Sequence, residues 1–139
     1  MATPRRIREL AFHMLFQLDA QGQVDALRCI ELDEGVGEDA RHKAERLARA
    51  AYEHRAEADR AVEVFAPGWP AHRQPAVDRA ILRLAHYEMT VGGVAPAVAI
   101  NEAIELAKEY STERSPGFIN AILDNVRKQA LSTAGGEEA

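Results

Sequence analysis

Apolar residues recur along this chain at intervals of three and four, and no stretch alternates with period two over strand length. The pattern therefore predicts an all-helical fold. The first stripe (Ile7, Leu10, Ala11, Met14, Leu15, Leu18) places a helix over residues 4–20, with Pro4 suited to its opening turn and Gln21-Gly22 closing it. Val24 to Leu32 reads as a short helical segment, and Asp33-Glu34-Gly35-Val36-Gly37 as a loop. Residues 39–65 are rich in alanine, glutamate and arginine, and fit one long helix or two joined near His54. Pro67-Gly68-Trp69-Pro70 breaks the pattern, with Trp69 expected to pack between helices.

The strongest central helix runs from Pro75 to Val91. Val77, Ala80, Ile81, Leu84, Ala85 and Glu88 share one face, with Arg79, Arg83 and His86 opposite. Gly92-Gly93 stops it. Pro96 to Tyr110 forms the next helix, facing Ile100, Ala103, Ile104 and Ala107 inward. Ser115-Pro116 is a cap and first-turn pair for a last helix that buries Ile119, Ile122, Leu123 and Val126 and frays after Lys128. Six or seven helices with short connections imply a compact bundle. Residues 1–131 are expected to form one domain, and 132–139 a disordered tail.

The 139 residues suffice for a buried core, and 47% hydrophobic with 28% charged residues is a globular composition. Cys29, the one cysteine, excludes an internal disulfide framework. With no signal-peptide pattern and no apolar run of membrane-spanning length, a soluble cytoplasmic protein is expected. The net charge of −5 argues against a protein that coats nucleic acid over its whole surface. Its distribution is uneven: Arg5, Arg6 and Arg8 precede Glu9, the first acidic residue, and such a local patch suggests one defined anionic contact.

Catalytic and metal motifs are missing. His13, His42, His54, His72 and His86 have no second histidine or cysteine at ligand spacing, and neither a phosphate-cradling glycine loop nor a nucleophile elbow occurs. No cofactor is expected. Glu88, lying within an apolar stripe, needs hydrogen-bond donors, and an arginine or a nearby helix start is the expected source. Glu102, Glu105 and Glu109 share the outer face of the penultimate helix, either as a solvated run or facing a basic partner.

The first helix carries the stronger signal. At 100° per residue, Arg5, Glu9, Phe12 and Phe16 fall opposite the apolar stripe, flanked by Arg6 and His13. Guanidinium groups hold phosphates, and an aromatic ring offers an unpaired base a stacking face. Packing of the phenylalanines against other helices is the competing reading. It is favoured for Phe12, while for Phe16 the two stand level.

Two stretches resemble the NusB transcription antitermination family. Arg5-Arg6-Ile7-Arg8-Glu9-Leu10-Ala11-Phe12-His13-Met14-Leu15-Phe16 is similar to the family's opening arginine-rich helix. Residues 78–88, then 98–108, then Phe118-Ile119-Asn120-Ala121-Ile122-Leu123-Asp124 follow the family pattern nearly position for position, while residues 20–70 match loosely. The resemblance implies two three-helix groups packed across one another, without cofactor or catalysis. It also implies binding of boxA RNA from ribosomal RNA leaders together with NusE, a small-subunit ribosomal protein, within the transcription elongation complex. A homodimer is a further state the family adopts.

Carried over by position, Arg5, Arg6 and Arg8 would contact phosphates, and Phe16 and Phe118 would lie at the RNA surface. Phe16 replaces a tyrosine and His13 a glutamine, so the hydroxyl is lost and an amide contact at position 13 is in doubt. Gly117 stands where a basic residue can occur. Asp78 and Arg79 would meet NusE, and Glu88 with Asn101 would tie helices together. Two rivals are a bundle that binds only protein and the RNA-binding appendage of an RNA cytosine methyltransferase. The latter requires a catalytic domain, and this chain has no cofactor-binding pattern.

Overall fold

The computed structural model describes residues 3–21 and 35–138, and there the chain is helical without strands. The segment from Val24 to Leu32, with Cys29, and the first two residues of the acidic loop, Asp33 and Glu34, lie outside the described residues. Helix α1 spans Pro4–Gln21. Thr3 caps it: its Oγ1 accepts the Arg6 N–H at 3.1 Å and its carbonyl accepts the Ile7 N–H at 3.0 Å. Helices α2 (Glu38–Glu53) and α3 (Arg55–Phe65) follow, so residues 39–65 form two helices. The break falls at His54, whose Nδ1 lies 2.9 Å from the Ala50 carbonyl and whose ring packs against Tyr87 from α4 (Ala76–Thr90).

Helix α5 spans Pro96–Tyr110 and α6 Ser115–Glu138. The α6 backbone is thus helical well beyond Lys128, past the point where the sequence pattern ends it. Among the described residues no helix is long and apolar enough to cross a membrane.

Two three-helix groups, α1–α3 and α4–α6, meet through α4, which touches all five other helices. On α2, Ala40, Ala44, Ala48 and Ala51 are buried at helical spacing. Small side chains there let α1 pack close, and Leu10, Met14, Leu15 and Leu18 of α1 are buried in the core. The shared core adds Ile81, Leu82, Leu84, Ile119 and Leu123, each at most 1% exposed. Each such side chain contributes about 1.5–3 kcal/mol.

Helix α4 departs from the expected two-faced pattern. The polar face opposite the apolar stripe is buried too, with Arg83 and His86 at 6% and 8% exposure. Arg83 is compensated by a carboxylate from each of two other helices: it donates to both Asp59 oxygens (2.9 and 2.8 Å, from α3) and to Asp19 Oδ1 (2.9 Å, from α1). A buried guanidinium requires such paired acceptors. Burial pushes the His86 imidazole below its ordinary pKa, against the pull of Glu57 and Asp59.

Candidate nucleic-acid interface

The start of α1 lies beside the outer face of α5, and its arginines meet carboxylates there. Arg5 is exposed and donates from Nε and Nη2 to the two Glu102 oxygens, at 3.0–3.3 Å. Arg6 is paired with Glu9, three residues on. Arg8 is largely buried and donates from Nε to both Glu88 oxygens at 3.0 and 2.9 Å. The donor that Glu88 needs is therefore Arg8, not Asn101, which is exposed. Burial raises the Glu88 pKa and the Arg8 charge works against that shift. Of the acids on the outer face of α5, Glu102 faces the chain's own first helix.

Further along α1, Glu9 joins this cluster to the end of α5, accepting a hydrogen bond from the Tyr110 hydroxyl at 3.1 Å. Burial raises the Tyr110 pKa, with Glu9 adding to the shift. His13 stands edge-on to Tyr110 and to Phe12, with centroids 4.8 and 5.0 Å away. Burial lowers its pKa, which disfavours a cation at this position. Phe12 is fully buried, as expected. Phe16 is half-buried and packed against the core, which leaves it one accessible side at most.

Beyond Tyr110 the chain turns into α6 beside an open groove of about 450 Å³, lined by Ala66, Trp69, Thr112, Arg114 and Phe118 among others. Phe118 is 39% exposed, the one large aromatic among the exposed apolar side chains described. The Trp69 ring stands perpendicular to it at 4.6 Å between centroids. Trp69 thus packs as expected, yet it also forms a wall of this groove. Arg114 is exposed at the rim, and its guanidinium has no partner among the described residues. Sequence reasoning missed Arg114 because a lone arginine in a polar turn carries no pattern; its place one turn before Phe118 was the available signal.

Asp78 and Arg79 are not placed to meet a partner. Asp78 is 4% exposed and accepts hydrogen bonds from the Ser111 and Ser115 hydroxyls, tying the α5–α6 turn to α4. The Ser115 hydroxyl thus serves Asp78. Arg79 donates to Asp19 and to the carbonyls of Ala71 (2.7 Å) and Gln74 (3.2 Å), pinning the loop that carries Trp69. Both charges are consumed inside the bundle, which corrects their assignment as surface contacts.

Residues 5–128 match the model of the NusB family. The chain belongs to the NusB family. A transcription antitermination protein NusB of Symbiobacterium thermophilum is 42% identical, covering 97% of this chain and 95% of its own length. That of Solibacter usitatus is 43% identical over 93% and 91%. Among solved structures, NusB of T. maritima superposes with a TM-score of 0.76 at 38% identity, covering 92% of this chain and 93% of that one. A complex of the antitermination factors NusB and NusE with double-stranded RNA contains a chain with a TM-score of 0.74 at 26% identity, over 90% and 96%. The all-helical NusB fold expected from the sequence is the fold observed.

Proposed function

We propose that this NusB chain acts as a transcription antitermination factor, binding boxA-type single-stranded RNA together with a NusE-type ribosomal protein and aiding polymerase processivity in the cytoplasm. Residues 1–131 serve as one RNA-binding domain. The observation that carries the reading is the Phe118 ring, exposed at a groove whose rim holds Arg114, a guanidinium without a partner among the described residues. A base stacks on Phe118 while Arg114 neutralises the adjoining phosphate. The strand then passes Tyr110 toward Arg6 and Arg5, with Phe16 offering its open side. His13 supports this face by packing, and Arg8 holds it to Glu88 instead of meeting phosphate. The curated relatives named as antitermination proteins support the cellular role, and the solved complex of NusB and NusE with double-stranded RNA supports a NusE-type partner and an RNA ligand, though not the unpaired form of that RNA.

We assign the partner surface to the end of α4 and the start of α5, where Val91 and Val98 are 55% and 48% exposed and a groove of about 410 Å³ is lined by Met89, Pro96 and Val126. The test titrates the full chain with short unpaired boxA-type RNA, with and without the NusE-type protein. A three-component complex, tighter than either pair, is the expected result. Loss of all RNA binding in both arms, with the protein folded, overturns the reading and leaves a protein-binding bundle.

A further inference from the structure

We infer that Glu102 competes with RNA phosphate for Arg5, making it a built-in brake on RNA affinity. The inference rests on the proposed RNA-binding role and adds a residue that sets its strength. Arg5 keeps 65% of its side chain exposed, yet its Nε–Nη2 edge is filled by Glu102, whose own side chain is only 14% exposed. That edge is the geometry in which a guanidinium holds a carboxylate or a phosphate through two parallel hydrogen bonds.

A phosphate arriving at Arg5 has two choices. It takes the occupied edge and displaces Glu102, or it takes the outer edge and is held close to a fixed carboxylate. In both cases the Glu102 charge opposes binding.

Displacement is feasible because Glu102 is not left alone. Its Oε2 also lies 3.9 Å from Arg8 Nη1, and Arg8 is anchored through its Nε to Glu88. The carboxylate thus lies between two guanidinium groups, one exposed, the other largely buried and anchored to Glu88. When Arg5 swings to the RNA, Arg8 keeps Glu102 compensated. The surrounding charges reinforce the brake: Glu9, Glu105 and Glu109 line the same narrow cleft as Arg5 and Arg8. Before RNA arrives, this end of α1 is not a basic patch in net charge.

The test measures binding of a short unpaired boxA-type RNA across a salt series, using the wild-type chain, Glu102→Gln, Glu105→Gln, Arg5→Ala and the Arg5→Ala/Glu102→Gln double variant. Glu102→Gln should bind about two- to fivefold more tightly, the scale of one exposed ion pair, with a steeper salt dependence as Arg5 engages phosphate. Glu105→Gln, which removes a nearby charge that does not touch Arg5, should give a smaller gain. In the Arg5→Ala background the Glu102 substitution should give little. RNA binding that Glu102→Gln does not tighten overturns the brake alone, provided its thermal midpoint matches wild type. Equal gains from both glutamate variants, or a full gain without Arg5, overturn it as well. If neither wild type nor Glu102→Gln binds RNA, the RNA-binding reading fails and the brake with it.

Discussion

The two ends of the candidate RNA face differ in a way that reverses their apparent importance. Three arginines crowd the start of α1, and each has a carboxylate partner: Glu102, Glu9 and Glu88 in turn. At the other end a single arginine, Arg114, stands unpartnered among the described residues beside an exposed aromatic ring. A guanidinium already matched by a carboxylate must exchange one anion for another, so its net gain on meeting RNA is small. An unmatched one gains the full contact. Cations therefore count toward RNA affinity by their occupancy, not by their number.

The sharpest division is within the arginine cluster itself. Arg8→Ala should destabilise the fold by about 3–5 kcal/mol, because it strands the buried Glu88 carboxylate, whereas Arg5→Ala should leave the urea midpoint unchanged. Equal, small losses from both would mean that Arg8 is as open as Arg5. Next in size, Phe118→Ala should weaken RNA binding by about 1–3 kcal/mol, the range for one stacked base, with little change in stability. If affinity survives that substitution, the open end is not where bases stack.

A finer contrast comes from salt. Arg114→Ala should reduce the slope of log affinity against log salt by roughly 0.7, one phosphate contact to a single strand, and Arg6→Ala by less because Glu9 already compensates it. The reverse ranking would return the binding role to the start of α1. The smallest effect concerns stability and pH. His86 and His13 both have lowered pKa values, mainly through burial. The unfolded chain takes up protons near pH 6.5 that the folded chain refuses, so stability should fall as pH drops below roughly 6.5. Asp19 adds a further loss at lower pH: although burial opposes it, Arg79 and Arg83 hold its carboxyl below the usual range. Urea midpoints followed from neutral to mildly acid pH check the first window, and His86→Gln should flatten it.

Much of the bundle was legible because helix ends are written locally. Pro4, Gly92-Gly93, Pro96 and the Pro67–Pro70 break all mark real boundaries. The place of the split near His54 was legible, but periodicity did not decide between one helix and two, and the ring contact of His54 with Tyr87 of another helix carries no local signal. The site divides along the same line. Exposure of Phe118 and burial of Phe12 followed from the pattern and the family resemblance. The fates of Arg8 and Asp78 did not, because Glu88 lies 80 residues from Arg8, and Ser111 and Ser115 lie 33 and 37 from Asp78. Helical periodicity assigns a charged residue to a face. It says nothing of whether another helix arrives there with an opposite charge.

Trp69 is the chain's only tryptophan, and its ring meets Phe118 edge-on at the wall of the open groove. Indole emission is sensitive to the polarity and quenching of its surroundings, so the molecule contains its own optical reporter at the place where a nucleobase would dock. Occupancy can be followed on unlabelled protein at one wavelength, with no second indole to dilute the signal.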